Sequence, residues 1–169
     1  KQAESIAAGS DGIIILPFLA GASLPELNPN AKGVFFGVTL SHTRAHFVRA
    51  IMESITYMLR SNIELLEEMG TKVNEIISLG GGAKSDLWCQ IKADVLGKKI
   101  VKPYLEEVSS LGLAILSGLA VGKYKDIQEA INRFVRVKRV FTPNEENYKK
   151  YEFLYNKYKN IYLKLKNEF

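Results

Sequence analysis

Apolar and polar positions change their period several times along the chain, and each change marks an element. The run Ile13-Ile14-Ile15-Leu16 is continuously apolar, as in a strand buried on both faces, and Pro17 ends it. From there to Leu40 the chain holds Pro25 and Pro29 and no sustained period, which predicts a long loop anchored by Phe35 and Phe36. Loops of that length inside a compact domain are usually functional. Ala45, Val48, Met52, Ile55, Leu59, Leu66 and Met69 then recur at helical spacing. Ser41 is the expected cap of this helix and Gly70 its stop. Residues 75–79 read as a short strand leading into Gly80-Gly81-Gly82, a helix opens at Ser85 and stops at Gly97, and a strand over 99–101 meets Pro103. Residues 106–121 form a helical pattern with Ser110, Ala114, Ser117 and Gly118 along it, small enough for close packing. Asp126 with Glu129 predicts a capping box on a short helix to Phe134. Val135-Arg136-Val137-Lys138 alternates like an edge strand with its charges in water. Thr142-Pro143-Asn144-Glu145, with Pro at the first helical position, predicts a terminal helix over about 143–167. Alternation of helices and strands makes the fold class α/β.

The glycine triplet is where chemistry concentrates. Glycine has no Cβ, so it permits positive φ and lets a ligand approach main-chain N–H groups. A following helix start adds unpaired N–H groups and a positive dipole end, which favour phosphate or ribose oxygens. The alternative is a tight strand-to-helix turn with no ligand. A dinucleotide fingerprint would need glycine at Ser85, and a Walker loop would need glycines at Ser78 and Ala83, so neither motif is present.

The surrounding residues give the triplet its context. Gly33-Val34-Phe35-Phe36-Gly37-Val38, followed by His46-Phe47-Val48-Arg49-Ala50-Ile51-Met52-Glu53, resembles the second signature of the FGGY carbohydrate kinases, which phosphorylate sugars with ATP. Leu16-Pro17-Phe18-Leu19-Ala20-Gly21 and Asn28-Pro29-Asn30-Ala31-Lys32 also look like that family, most closely its xylulose-specific members. Gly80-Gly81-Gly82-Ala83-Lys84-Ser85 with Leu87-Trp88 is similar to its adenosine-binding loop, and Glu106-Glu107-Val108-Ser109-Ser110-Leu111-Gly112-Leu113-Ala114 to the helix after it. The chain departs from the family at Gly21-Ala22-Ser23-Leu24-Pro25, where Gly-Glu-Arg-x-Pro is common, and at Lys32, where Arg is frequent.

This resemblance implies a ribonuclease-H-like domain of the actin-like ATPase (sugar kinase) class, incomplete at its N-terminal end, with residues 1–169 forming the C-terminal, adenosine-binding domain. It implies ATP and Mg²⁺ as cofactors, with Gly81, Gly82 and Ala83 near ribose and phosphates and Ser85 and Asp86 near adenine or ribose. The negative charge of Asp86 argues against phosphate contact; a first-turn acid favourable to the helix dipole is the other reading. The general base, most sugar contacts and the phosphate loops are implied to lie upstream of Lys1, so no catalytic residue is named here. Xylulose is the implied substrate, with gluconate, ribulose and glycerol as alternatives, and the partner is a preceding domain of the same polypeptide.

Composition is that of one compact domain: 169 residues, 47% hydrophobic and 24% charged. The opening Lys1-Gln2-Ala3-Glu4-Ser5 reads like the tail of a helix. A single cysteine, Cys89 beside Trp88, rules out an internal disulfide, fits a reducing compartment, and reads as a small buried hydrophobe. No apolar run reaches a membrane span and no signal-peptide pattern is present, which makes the cytoplasm the default. Glu53, one turn after Arg49, is read as a residue supporting the site from behind, with an exposed ion pair as the alternative. His42 and His46 have i,i+4 spacing that can hold metal, but without a third ligand or an H-E-x-x-H they are assigned to capping, packing or contact with the loop. The net charge of +5 and the lysines of the terminal helix raise a second function, binding of nucleic acid or anionic membrane. Tyr148, Tyr151, Tyr155, Tyr158 and Tyr162, spaced by threes and fours, point instead to a packed stripe that excludes both partners. That stripe is equally compatible with a homodimer interface.

Overall fold

A computed structural model of the chain describes residues 2–104 and 108–169. The first strand, β1 (Ile14–Leu16), is buried at every position and pairs antiparallel with β2 (Val34–Phe36), with Ile15 opposite Phe35. The long helix α1 (Arg44–Glu68) follows, then β3 (Glu75–Ile77), the single turn α2 (Gly81–Lys84), α3 (Asp86–Leu96) and β4 (Lys99–Pro103). Helices α4 (Val108–Ala120) and α5 (Ile127–Phe134), strand β5 (Val137–Phe141) and helix α6 (Glu145–Leu165) complete the order. The second sheet runs β3-β4-β5, with β3 parallel and β5 antiparallel to β4. A parallel pair needs a crossover, and α2 with α3 supplies it.

The main core lies where α1, α3 and α6 meet β1. Ile14, Leu16, Tyr57, Ile91, Val95, Tyr151, Tyr155 and Tyr158 are all at most 2% exposed. Ring contacts join Tyr57 to Tyr151, Tyr155 and Tyr158 at centroid distances of 6.3, 6.0 and 5.5 Å. Each such ring taken from water contributes about 1.5–3 kcal/mol, so the tyrosine stripe is structural, as its spacing predicts. Cys89 is fully buried in a second cluster with Ile63, Ala93, Leu96, Ile100 and Phe141.

Several boundaries differ from expectation for local reasons. Helix α1 is capped by Thr43 and not by Ser41, because His46 Nδ1 reaches back to accept from Thr43 N at 3.0 Å. The terminal helix is capped by Asn144 and not by Thr142. Asn144 accepts from Asn147 N at 2.9 Å while its own N–H donates to the Asp94 carboxylate at 2.8 Å. The edge strand begins at Val137, two residues later than its alternation implies, and runs to Phe141. The loop after Pro17 is interrupted by β2, a three-residue strand recognisable only by its pairing with β1. Asp126 does cap α5, but Glu129 accepts from Lys125 N in place of the cap's own N–H. The reading of Glu106 and Glu107 as a helix start lies outside the described residues.

Candidate nucleotide-binding site

Strand β3 ends in the parallel part of the sheet and releases the chain into Gly80, whose φ of 67° and ψ of −154° few residues other than glycine adopt. A Cβ placed on Gly80 or Gly81 would meet nothing within 4 Å, so the backbone of these two residues forms an open face. A Cβ on Gly82 would instead meet Lys92 Nζ at 3.3 Å and the Trp88 ring at 3.5 Å, which turns that residue toward the protein. Gly81 and Gly82 are themselves helical, in α2, so the triplet is a turn followed by one helical turn and not a loop throughout. Ala83 is 7% exposed and closes the turn by donating its N–H to Gly80 O at 3.1 Å.

Ser85 breaks the chain between the two helices and caps α3, accepting from Trp88 N at 3.2 Å. Asp86 sits in the first turn, but its carboxylate is spoken for. Oδ1 accepts from Lys102 Nζ and Oδ2 from Arg139 Nη1, both at 2.7 Å. These cations, Lys102 foremost, hold its carboxyl below the usual carboxylate range. Asp86 therefore ties α3 to β4 and β5, while it also stands in the first turn of α3, where its charge favours the helix dipole. Of the five expected residues, which are neighbours in the chain, Gly81 and Asp86 are exposed, Gly82 and Ser85 half-buried and Ala83 buried, and the Asp86 carboxylate is paired with cations from the sheet.

Two lysines that sequence reasoning missed brace this segment. Lys102 Nζ lies 3.5 Å from Lys84 O besides its contact with Asp86. Lys92 Nζ donates to Ser78 Oγ at 2.9 Å and to Gly82 O at 3.4 Å, and stands 4.9 Å from the Trp88 ring centroid. The signal was available for Lys92, which follows Trp88 by four residues and so shares its face of the helix.

On α1, Glu53 is 1% exposed and Arg49 7%, and their partners lie in residues 3–10 and in Tyr151. Glu53 accepts from Arg49 Nε, Gly9 N, Ser10 Oγ and Tyr151 OH at 2.9, 2.9, 2.8 and 2.7 Å. The ion pair with Arg49 exists, but it is buried, not exposed. It fixes the turn in which Gly9, Ser10, Asp11 and Gly12 all have positive φ. Both histidines serve the neighbouring loop: His42 Nδ1 accepts from Thr39 N at 2.8 Å, and His46 Nε2 approaches Asp11 Oδ2 at 3.1 Å. With each Nδ1 accepting, each Nε2 carries the proton, so His46 donates to Asp11.

Residues 1–121 match the family model described as "FGGY family of carbohydrate kinases, C-terminal domain". The chain belongs to this family. The chain is 39% identical over 153 residues to a xylulose kinase from Staphylococcus epidermidis, covering 90% of itself and 31% of that relative. Among solved structures it resembles a ligand-bound xylulose kinase from Lactobacillus acidophilus, with TM-score 0.85, 30% identity, and coverage of 97% of this chain and 33% of that one. A glycerol kinase from Plasmodium falciparum solved with ADP gives TM-score 0.80 at 28% identity, covering 92% of this chain and 31% of that one. The chain thus spans about a third of the length of the relatives it matches. Its fold is that of the C-terminal domain of these sugar kinases, in the actin-like ATPase class. Helix α6 lies beyond the family match yet packs its tyrosines into the core.

Proposed function

We propose that residues 1–169 are the adenosine-binding domain of an ATP-dependent carbohydrate kinase whose substrate is xylulose, converted to xylulose 5-phosphate. The observation that carries this reading is the open backbone at Gly80 and Gly81, set at the end of a parallel strand in an FGGY chain. Gly81, with Gly80, would offer main-chain groups to ribose and phosphates, Gly82 and Ala83 would hold the turn closed beside them, and the Ser85–Asp86 corner would flank adenine or ribose. Asp86 acts there by holding the corner to β4 and β5. The resemblance between this chain and a glycerol kinase solved with ADP supports the nucleotide, and the identity with xylulose kinases supports the sugar.

Phosphoryl transfer needs a base near the attacking hydroxyl and a cation on the phosphates. No group of three His, Cys, Asp or Glu able to hold a metal is found among the described residues, so Mg²⁺ enters this account as part of the ATP complex. The base and the sugar contacts are assigned to a preceding domain of the same polypeptide. No described helix is long and apolar enough to cross a membrane, and we place the enzyme in the cytoplasm.

The test is ADP production by the full-length protein with ATP and, separately, xylulose, ribulose, gluconate and glycerol. Xylulose should give the highest kcat/KM, and residues 1–169 alone should give none. A clear preference for another polyol would move the substrate and keep the reaction, while absence of turnover with any of them would overturn the kinase reading.

A further inference from the structure

Among the described residues Lys92 meets no carboxylate, unlike Lys102 and Lys98, which pair with Asp86 and Glu67. It is partly buried, and burial pulls its pKa below the usual lysine value. Its charge therefore opposes folding: the unfolded chain binds that proton more tightly, and stability rises with pH between the lowered value and the ordinary one. A cation kept there against that tendency invites a functional reason.

Its contacts give the reason. Ser78 follows β3 and Gly82 lies in α2, so the two acceptors of Lys92 stand on either side of Leu79, Gly80 and Gly81. One ammonium thus staples both shoulders of the turn from behind. The faces of Gly80 and Gly81 remain open, and the Trp88 ring limits where Nζ can go. A glycine turn is entropically expensive to order, and a fixed cation beneath it also adds positive potential where phosphate oxygens would arrive.

We propose that Lys92 is a positioning residue for the nucleotide, holding the glycine turn in its receptive shape and biasing it toward phosphate. This rests on the nucleotide reading of the turn. Lys92→Met in the full-length protein keeps the stem and removes the charged donor. Loss of two charge-assisted hydrogen bonds should raise the dissociation constant for ADP and the KM for ATP about tenfold. The KM for the sugar should stay as it is, and the melting temperature should not fall. Adenosine, having no phosphates, should be weakened less than ADP. An unchanged ADP affinity, or equal losses for ADP and sugar or for ADP and adenosine, would overturn the proposal. Should Lys92→Met fail to fold, Ser78→Ala removes one acceptor and keeps the charge. It should raise the KM for ATP by a smaller factor, and no rise would overturn the staple. Gly81→Val separates nucleotide binding at the turn from the role of Lys92. If it leaves ADP affinity intact, the nucleotide reading fails and the role of Lys92 with it; if it abolishes ADP binding while Lys92→Met does not, only the role of Lys92 fails.

Discussion

Helix α3 carries two aspartates whose surroundings differ, and the contrast divides the molecule. Asp94 is 2% exposed and accepts from Gln90, Asn144 and Asn147, so it binds α3 to the start of α6 inside the protein. Asp86, one helix length away, is half exposed and held by Lys102 and Arg139 beside the glycine turn. Around Asp94 and along α1 and α6, polar groups meet partners in the chain and aromatic rings fill the space. Around Asp86 the side chains fix the backbone from behind and leave its outer face free. The first region makes the domain stable, and the second gives it something to present.

The largest effect that can break this division comes from removing α6. Deleting residues from Glu145 onward takes Tyr151, Leu154, Tyr155, Tyr158, Ile161 and Tyr162 out of the main core. Soluble, cooperatively folded protein should be lost, as judged by circular dichroism and thermal melting of the full-length protein with and without the helix. Survival of a cooperative melt with loss of binding to nucleic acid or anionic lipid would make α6 a binding arm.

Replacing Glu53 with Ala comes next. Arg49 and Tyr151 would lose their shared acceptor in a buried setting, which typically costs about 3–5 kcal/mol. Urea unfolding should show that loss without a change in slope.

Alkaline titration sharpens the same contrast. Burial pushes the phenols of Tyr57, Tyr151, Tyr155 and Tyr158 well above their ordinary value. The unfolded chain releases those protons first, so their stabilisation is intact below about pH 10 and declines as pH rises beyond it. Phenolate absorbance from these four should appear together with unfolding and not before. The smallest effect is expected from Lys149→Gln with Lys164→Gln, two exposed lysines of α6, which should shift stability by less than about 0.5 kcal/mol.

The order of helices and strands was legible because hydrophobic period is a local property, and Ser85 and Asp126 announced their helices by residue type alone. Thr43 and Asn144 did not. Each became the cap because a partner arrived, His46 from the next turn and Asp94 from fifty residues away. Strand β2 was hidden for the same reason, since three residues acquire meaning only beside β1. At the site, the glycines were visible in sequence and Lys92 shares a helix face with Trp88, while Lys102 meets Lys84 and Asp86 only through the placement of β4 beside α2 and α3.

Hydrogen exchange of the full-length protein with and without ADP tests the nucleotide assignment most directly. Exchange should slow in peptides covering residues 78–92 and stay unchanged in those covering α6. Protection confined to other segments, with residues 78–92 exchanging as before, would contradict it.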